Sequence, residues 1–376
     1  MGDQTARHIG LMHILVACDS FKDALPADAV CRAIAAGLKQ SHPQAQITEM
    51  PLSDGGEGLL DVLRAPLGLT WIQAEVADPL GRPIQGRYGL SADRQTCVVE
   101  MAEASGLQRL SLAERDPRKT STYGTGQLLA DAKARGARRA ILAIGGSATN
   151  DAGIGAAAAL GWGFLDKNGK AVPPSGGHLC EIVRLAPAPL SFESMEVLCD
   201  VTNPLYGPRG AAWVYGRQKG GSDEVLAQLG DGLKHLAALV KAQLGRDVAD
   251  LPGAGAAGGL GYGAVAFMGA ELRRGIEIVL DKTGFDAAAR EADLIITGEG
   301  HLDGQSAQGK LIQGLCGRTG GTPVIALCGK LSASQDQIQA IGLKKAYCIN
   351  KQERPLAEML AGTAENLEKT AAALAL

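Results

Sequence analysis

At 376 residues the chain is long enough for two domains, and with 46% hydrophobic residues it can build a sizeable core. Aromatics are only 4% while glycines number 51, a balance that suits close helix–sheet packing and argues against an aromatic platform for stacking bases. The net charge is −3 with acids and bases interspersed, so no basic stripe exists for nucleic acid, and an anionic ligand must be gathered by local charge.

The opening segment MGDQTARHIGL (1–11) lacks the long apolar core of a signal peptide and is expected to be a disordered extension or an upstream start before Met12. HILVAC (13–18) predicts a buried strand. Pro26 opens a helical pattern with Val30, Ile34 and Leu38 on one face. AQITEMPL (45–52) predicts a second strand and GEGLLDVLR (56–64) a second helix. Between Thr70 and Val99 the segments WIQAEV, IQGRYGL and TCVVEM alternate around turn signals, which predicts antiparallel strands. A helix is expected near 125–135, then a buried strand in RRAILAIGG, an Ala-rich helix, and an apolar run EVLCDV (196–201). Strand–helix alternation resumes with ADLIITG (292–298), a helix near 306–318, PVIALCG (323–329), a helix, and KKAYCIN (344–350). The simplest organisation is a discontinuous α/β domain of residues 12–68 and 287–376, with a different α/β domain, 69–286, inserted.

The uncharged stretch Leu251–Ala270 holds seven Gly and one Pro and is too weakly apolar for a membrane span. Eight cysteines, none in a CxxC pair, read as small core residues of a reducing compartment, so the cytoplasm is the expected location. Nothing in the pattern sets an oligomeric state.

Parallel sheets bind ligands beyond the carboxyl ends of their strands. Five expected strand ends each deliver an acid: Asp19-Ser20-Phe21-Lys22; Ser53-Asp54-Gly55-Gly56-Glu57-Gly58; Gly145-Gly146-Ser147-Ala148-Thr149-Asn150-Asp151; Asp200-Val201-Thr202-Asn203-Pro204; and Gly298-Glu299-Gly300-His301-Leu302-Asp303-Gly304-Gln305-Ser306. Any one such loop is better explained as a helix cap or turn. Five in one chain are not, and if they share a site their carboxylates need Lys or a metal ion. That combination suits phosphoryl transfer, where catalysis is positioning and charge stabilisation. Glycines let backbone N–H groups approach phosphate oxygens, Mg²⁺ takes carboxylate and phosphate oxygens, and a hydroxyl nucleophile needs an acid to accept its proton.

Two generic motifs fit poorly. Gly304–Lys310 matches GxxxxGK, but Leu311 stands where a P-loop needs Ser or Thr; Lys310 reads equally as a phosphate ligand or a solvated helix lysine. Gly253–Gly258 matches GxGxxG but follows the polar DVADLP instead of a strand, so glycine packing or substrate contact explains it better than a dinucleotide. No Cys/His cluster suggests zinc.

In this order the segments DSFK (19–22), DGGEG (54–58), VEMAEASGL (99–107), TSTYGTGQLL (120–129), GGSATNDAGIG (145–155), DVTNPLYG (200–207), GAGAAGGLG (253–261) and ADLIITGEGHLDGQSAQGK (292–310) resemble the type I glycerate kinase family. The resemblance implies a Rossmann-like parallel-sheet domain with an inserted second α/β domain and an active site in the cleft between them. It also implies ATP-dependent phosphorylation of D-glycerate with Mg²⁺, 2-phosphoglycerate being favoured over 3-phosphoglycerate. The chain departs from the family's usual pattern at Asp23-Ala24 and at Ser53, beside the motif acids. Residue roles follow from chemistry. Lys22 and Lys310 neutralise phosphate or the glycerate carboxylate. Gly55, Gly56, Gly145, Gly146, Ser147, Thr149, Asn150, Asn203, Gln305 and Ser306 bind phosphate or substrate. Asp54, Glu299 and Asp303 are Mg²⁺ candidates, and Asp200, then Asp19, is the choice for the base. A nicotinamide-dependent oxidoreductase of the same hydroxy acid, or a non-catalytic two-domain anion sensor, would be the alternatives.

Overall fold

The computed structural model describes residues 11–55, 58–188, 192–303, 310–352 and 354–376, with Lys310 described in its backbone only. In chain order the first elements are β1 (His13–Cys18), α1 (Ala27–Ser41), β2 (Gln46–Pro51), α2 (Leu59–Leu67), β3 (Thr70–Ala77), β4 (Pro83–Leu90) and β5 (Thr96–Glu100). Then come α3 (Ala102–Ser105), α4 (Tyr123–Ala134), β6 (Arg139–Ala143), α5 (Ile154–Ala159), β7 (Gly163–Leu165), β8 (Arg184–Ala186) and β9 (Ser194–Leu198). These are followed by α6 (Ala211–Tyr215), α7 (Asp223–Leu244), α8 (Ala256–Met268), β10 (Glu271–Arg273), α9 (Gly275–Thr283) and α10 (Phe285–Glu291). The chain closes with β11 (Leu294–Leu302), α11 (Lys310–Cys316), β12 (Val324–Leu331), α12 (Gln335–Ile341), β13 (Lys345–Cys348), α13 (Leu356–Ala361) and α14 (Thr363–Ala372). Two compact units result: residues up to Asp54 together with Ile276–Leu376, and Gly55–Gly275. The helix α2, which the sequence pattern joins to the strands before it, groups with the central unit.

The discontinuous unit is built on a five-stranded sheet in the order β2-β1-β11-β12-β13, parallel throughout. Counted within the unit this is 2-1-3-4-5, a doubly wound order whose switch point lies between β1 and β11. Residues Ile14–Cys18 of β1 are all fully buried, as a central parallel strand covered on both faces must be. Val30, Ile34 and Leu38 of α1 are likewise fully buried, each contributing about 1.5–3 kcal/mol of burial. The carbonyl of Glu368 on α14 approaches so closely that a Cβ at Gly37 would sit 2.1 Å from it.

One expectation fails here in a way that matters for the site. The strand read as ending at Gly298 continues to Leu302, paired with β12 through Leu302↔Leu331, whereas its pairing with β1 runs only from Ile14↔Leu294 to Val16↔Ile296. Thus Glu299 and His301 stand on a strand, not on a loop. Glycine permits the extension, because a Cβ at Gly298 would lie 2.7 Å from the Leu327 carbonyl. The helix expected near 306–318 is Lys310–Cys316, and residues 304–309 lie outside the described ones.

The central unit carries a six-stranded mixed sheet, β10-β9-β6-β5-β4-β3, and a two-stranded β7–β8 ribbon. β3, β4 and β5 are antiparallel neighbours, as the alternation predicts, and β5, β6, β9 and β10 then run parallel. The β3–β4 turn is set by Asp78, whose buried carboxylate accepts N–H groups of Leu80 and Arg82 and the Arg82 Nε. Among the described residues no helix is long and apolar enough to cross a membrane. Leu251–Ala270 instead supplies α8, whose first turn is broken by the left-handed residues Ala257, Gly258 and Gly259.

Candidate active site

In the discontinuous unit the carboxyl ends of β1 and β2 meet, with Cys18 opposite Pro51. The chain then delivers Asp19 from β1 and Asp54 three residues past β2. Asp19 is held by its own N–H to the Gly298 carbonyl (3.2 Å), and its Oδ1 accepts the Ser20 N–H (2.6 Å). Burial, and then the charge of Asp54, push its carboxyl up to about 7, although the Ser20 and Asp54 N–H groups pull the other way. Two carboxylates so placed must hold a proton or a cation. Beyond Asp19 the chain folds back in a tight hairpin, with Phe21 N–H bonded to Leu25 O and Ala24 and Leu25 N–H to Phe21 O. Asp23 takes the left-handed φ of 63° that this demands, and Lys22 is exposed at the tip. Phe21 is buried against Gly298. Glu299, half-buried, follows on β11 opposite Cys328, and Asp303 lies just beyond the strand. His301 bonds the Ser332 hydroxyl (2.9 Å). Gly56, Gln305, Ser306 and the Lys310 side chain lie outside the described residues.

The central unit presents three adjacent parallel strand ends, since Glu100 pairs with Ala143 and Ala143 with Leu198. From β6 the chain enters the turn Gly145-Gly146-Ser147, exposed at both glycines. Gly146 has φ +72°, a conformation that disfavours any side chain. Among the described residues none of the N–H groups of Gly145, Gly146 and Ser147 is used in a hydrogen bond within the chain. Successive free N–H groups at a turn make an anion cradle. Beyond it the segment is buried. Asp151 accepts from Thr122 N and Oγ1 (both 2.8 Å), Gly153 N (3.1 Å) and Gly155 N (3.3 Å), and burial raises its carboxyl. Thr149 Oγ1 and both amide atoms of Asn150 are buried and make no hydrogen bond among the described residues. Each costs about 1–3 kcal/mol until a partner satisfies it.

Sequence reasoning missed one residue here. Lys219 is 1% exposed, and its Nζ donates to Ser147 Oγ (2.7 Å) and the Thr149 carbonyl (2.6 Å). Burial pulls its amine down to about 7, with Asp151 opposing. Its segment, RQKGG, looks like any polar turn, and only the two glycines after it hint at an enforced geometry. Gly220 is left-handed, and a Cβ there would meet the Arg115 carbonyl at 2.1 Å.

Asp200 lies two residues past β9, and its Oδ1 accepts the Gly275 N–H (3.1 Å). Gly55 packs in the same region, where a Cβ would lie 2.9 Å from Gly275 Cα and Leu198 Cδ2. Asn203 braces its own loop, giving Nδ2 to Arg209 O (2.9 Å) and accepting from Tyr215 Oη (2.7 Å). The GxGxxG segment is a packing device. A Cβ at Gly258 would sit 1.9 Å from the Thr149 carbonyl and one at Gly255 2.2 Å from the Pro204 carbonyl, while Ala152 N–H bonds Gly258 O (3.0 Å). Its glycines let one backbone lie directly on the loop that follows the cradle.

A parallel α/β unit with two neighbouring acids beyond β1 and β2, and a second unit with an unbonded glycine turn over a buried lysine, make an arrangement of the kind that suits a phosphotransferase. The glycerate kinase family model matches residues 14–376. The chain is 43% identical to a glycerate kinase of Bacillus cereus, over 96% of each chain, and 39% identical to the glycerate 2-kinase of Escherichia coli, over 95% of each. A crystal structure assigned to a candidate glycerate kinase 2 of Salmonella typhimurium LT2 superposes with a TM-score of 0.87 at 39% identity, covering 96% of this chain and 97% of that one. The chain therefore belongs to the glycerate kinase family, and it is a kinase.

Proposed function

We propose that the chain transfers the terminal phosphoryl group of ATP to D-glycerate, with 2-phosphoglycerate favoured as product. Family membership and the name of the Escherichia coli relative support the substrate and the position. The observation that carries the chemistry is Asp19, a half-buried carboxyl at the end of β1 pushed up to about 7, suited to take a proton from an attacking hydroxyl at neutral pH. This places Asp19 ahead of Asp200, the first choice drawn from sequence, because burial and the Asp54 charge raise the Asp19 carboxyl. Asp200 remains a second carboxylate whose role the same substitution series tests.

In this reading the glycerate hydroxyl gives its proton to Asp19. Lys22 and the cradle Gly145, Gly146, Ser147 and Thr149 hold anionic oxygens, with Asn150 and Gly55 beside them. Among the described residues no three His, Cys, Asp or Glu side chains converge as a metal site. Asp54 nonetheless suits Mg²⁺, which is commonly held by one or two carboxylates plus substrate phosphates. When bound, Mg²⁺ supplies charge neutralisation to the phosphates, and Asp54, with Glu299 and Asp303, would hold it directly or through water. The eight free cysteines suit a reducing, cytoplasmic setting. A coupled ATP assay on D-glycerate, L-glycerate, glycerol and tartronate, with the product isomer assigned by phosphorus NMR, tests the proposal. Absence of turnover on both glycerate enantiomers would sink it.

A further inference from the structure

We propose that Lys219 is a positioning residue for an anionic oxygen group of the substrate: bonded to Ser147 Oγ and the Thr149 carbonyl, it fixes the Ser147 hydroxyl as an outward donor and makes the Gly145–Ser147 turn an all-donor surface. This deepens the kinase reading and rests on it for the identity of the anion.

The argument is one of donors and acceptors. An ammonium has three N–H donors and no lone pair, so Ser147 Oγ accepts from it and its own hydrogen must point elsewhere. Ser147 is half-exposed on a turn whose N–H groups are not used within the described chain. Three amides and a hydroxyl then present only hydrogens, over a buried positive charge. Such a surface accepts an ionised carboxylate or phosphate and rejects a group that must donate. Lys219 makes no direct ion pair among the described residues. Asp151 acts on it only through its field, its oxygens being committed to Thr122, Gly153 and Gly155. The charged neighbours of its turn are engaged elsewhere, Arg217 with Asp223 and Arg115 with the Gln218 carbonyl. A buried cation without a contacting anion is costly, and a bound anion relieves that cost.

The device has a pH signature. A neutral amine carries a lone pair, so the Ser147 hydroxyl can turn inward to donate to it and the outward donor is lost. An amine near pH 7 makes this switch within the accessible range, and anion binding holds the proton on.

Isothermal titration with D-glycerate, and with sulfate as a phosphoryl stand-in of constant charge, should be run at pH 6.5 and 8.5. Wild type, Lys219→Met and Lys219→Arg are compared, alongside KM and kcat for D-glycerate and ATP. One of the two ligands should bind wild type about tenfold more weakly at pH 8.5 than at 6.5. Which one responds tells whether the turn holds the glycerate carboxylate or a nucleotide phosphate. Lys219→Met should weaken that ligand at least about tenfold at pH 6.5 and flatten the pH response, with the matching KM rising more than kcat falls. Lys219→Arg, charged throughout, should bind equally at both values. If Lys219→Met does not fold, Ser147→Ala removes the outward donor alone and should weaken the same ligand. Binding independent of pH in wild type, or a Lys219→Met protein that loses stability while affinity and KM stay unchanged, overturns the proposal. Failure of the kinase reading shows separately, as wild-type binding without turnover.

Discussion

The two units solve opposite electrostatic problems. At the end of β1 the discontinuous unit withdraws Asp19 from water beside Asp54, and burial first, then the Asp54 charge, push its carboxyl up to about 7. Beneath the turn after β6 the central unit buries an amine, Lys219, that gives up its proton near the same pH. In both arrangements burial moves the group toward neutrality, an acid upward in one and an amine downward in the other. What the contrast teaches is that the same physical cause, desolvation of a charged group, yields a candidate proton acceptor in one unit and a pH-sensitive amine in the other.

The largest test of that contrast is Asp19→Asn, which should lower kcat about 10²- to 10⁴-fold with little change in substrate affinity, measured by steady-state kinetics and titration. If turnover survives, the acid pair is not the proton acceptor. Next, Gly258→Ala should break the donor side without touching any charge. Its Cβ would collide with the Thr149 carbonyl in a left-handed conformation, so a loss of about 3 kcal/mol or more is expected, read from the urea midpoint. Smaller, and more telling, is stability against pH. Between the ordinary aspartate value of 3.8 and about 7 the folded chain keeps the Asp19 proton that the unfolded chain releases, so this group lowers stability as pH rises. Between about 7 and the ordinary lysine value of 10.5 the unfolded chain keeps the Lys219 proton that the folded chain lacks, so that group raises stability with pH. Melting temperatures from pH 4 to 10 should lose the first slope in Asp19→Asn and the second in Lys219→Met. The smallest effects are expected from Asp200→Asn, roughly tenfold in kcat, and from Asn203→Ala, about 1 kcal/mol of stability from a broken loop brace.

Much of this was legible in the sequence. HILVAC and ADLIIT are short apolar runs whose length and β-branched content read as buried strands, and the acids after them were visible at once. The family resemblance rested on loops spread over nearly the whole chain. The misses have physical reasons. Nothing in GEGHL marks it as strand, because its glycines depress strand propensity and its extension depends on pairing with β12 far along the chain. Lys219 was invisible because burial of a lysine is a tertiary property that no local pattern encodes. The raised Asp19 carboxyl could not be read from the sequence, since it depends on burial and on the nearness of Asp54, and Asp19 and Asp200 both simply follow an apolar run.

The prolonged β11 has an effect at a distance. Past Ile296 its register with β1 has ended, and its partners are residues of β12 up to Leu331. There Gly329 lies so near the Gly300 carbonyl that a Cβ would come within 2.7 Å of it. The position of Glu299 therefore depends on β12, where it pairs with Cys328. Variation along Val324–Leu331 could retune the acid at the switch point while leaving every motif loop letter-perfect.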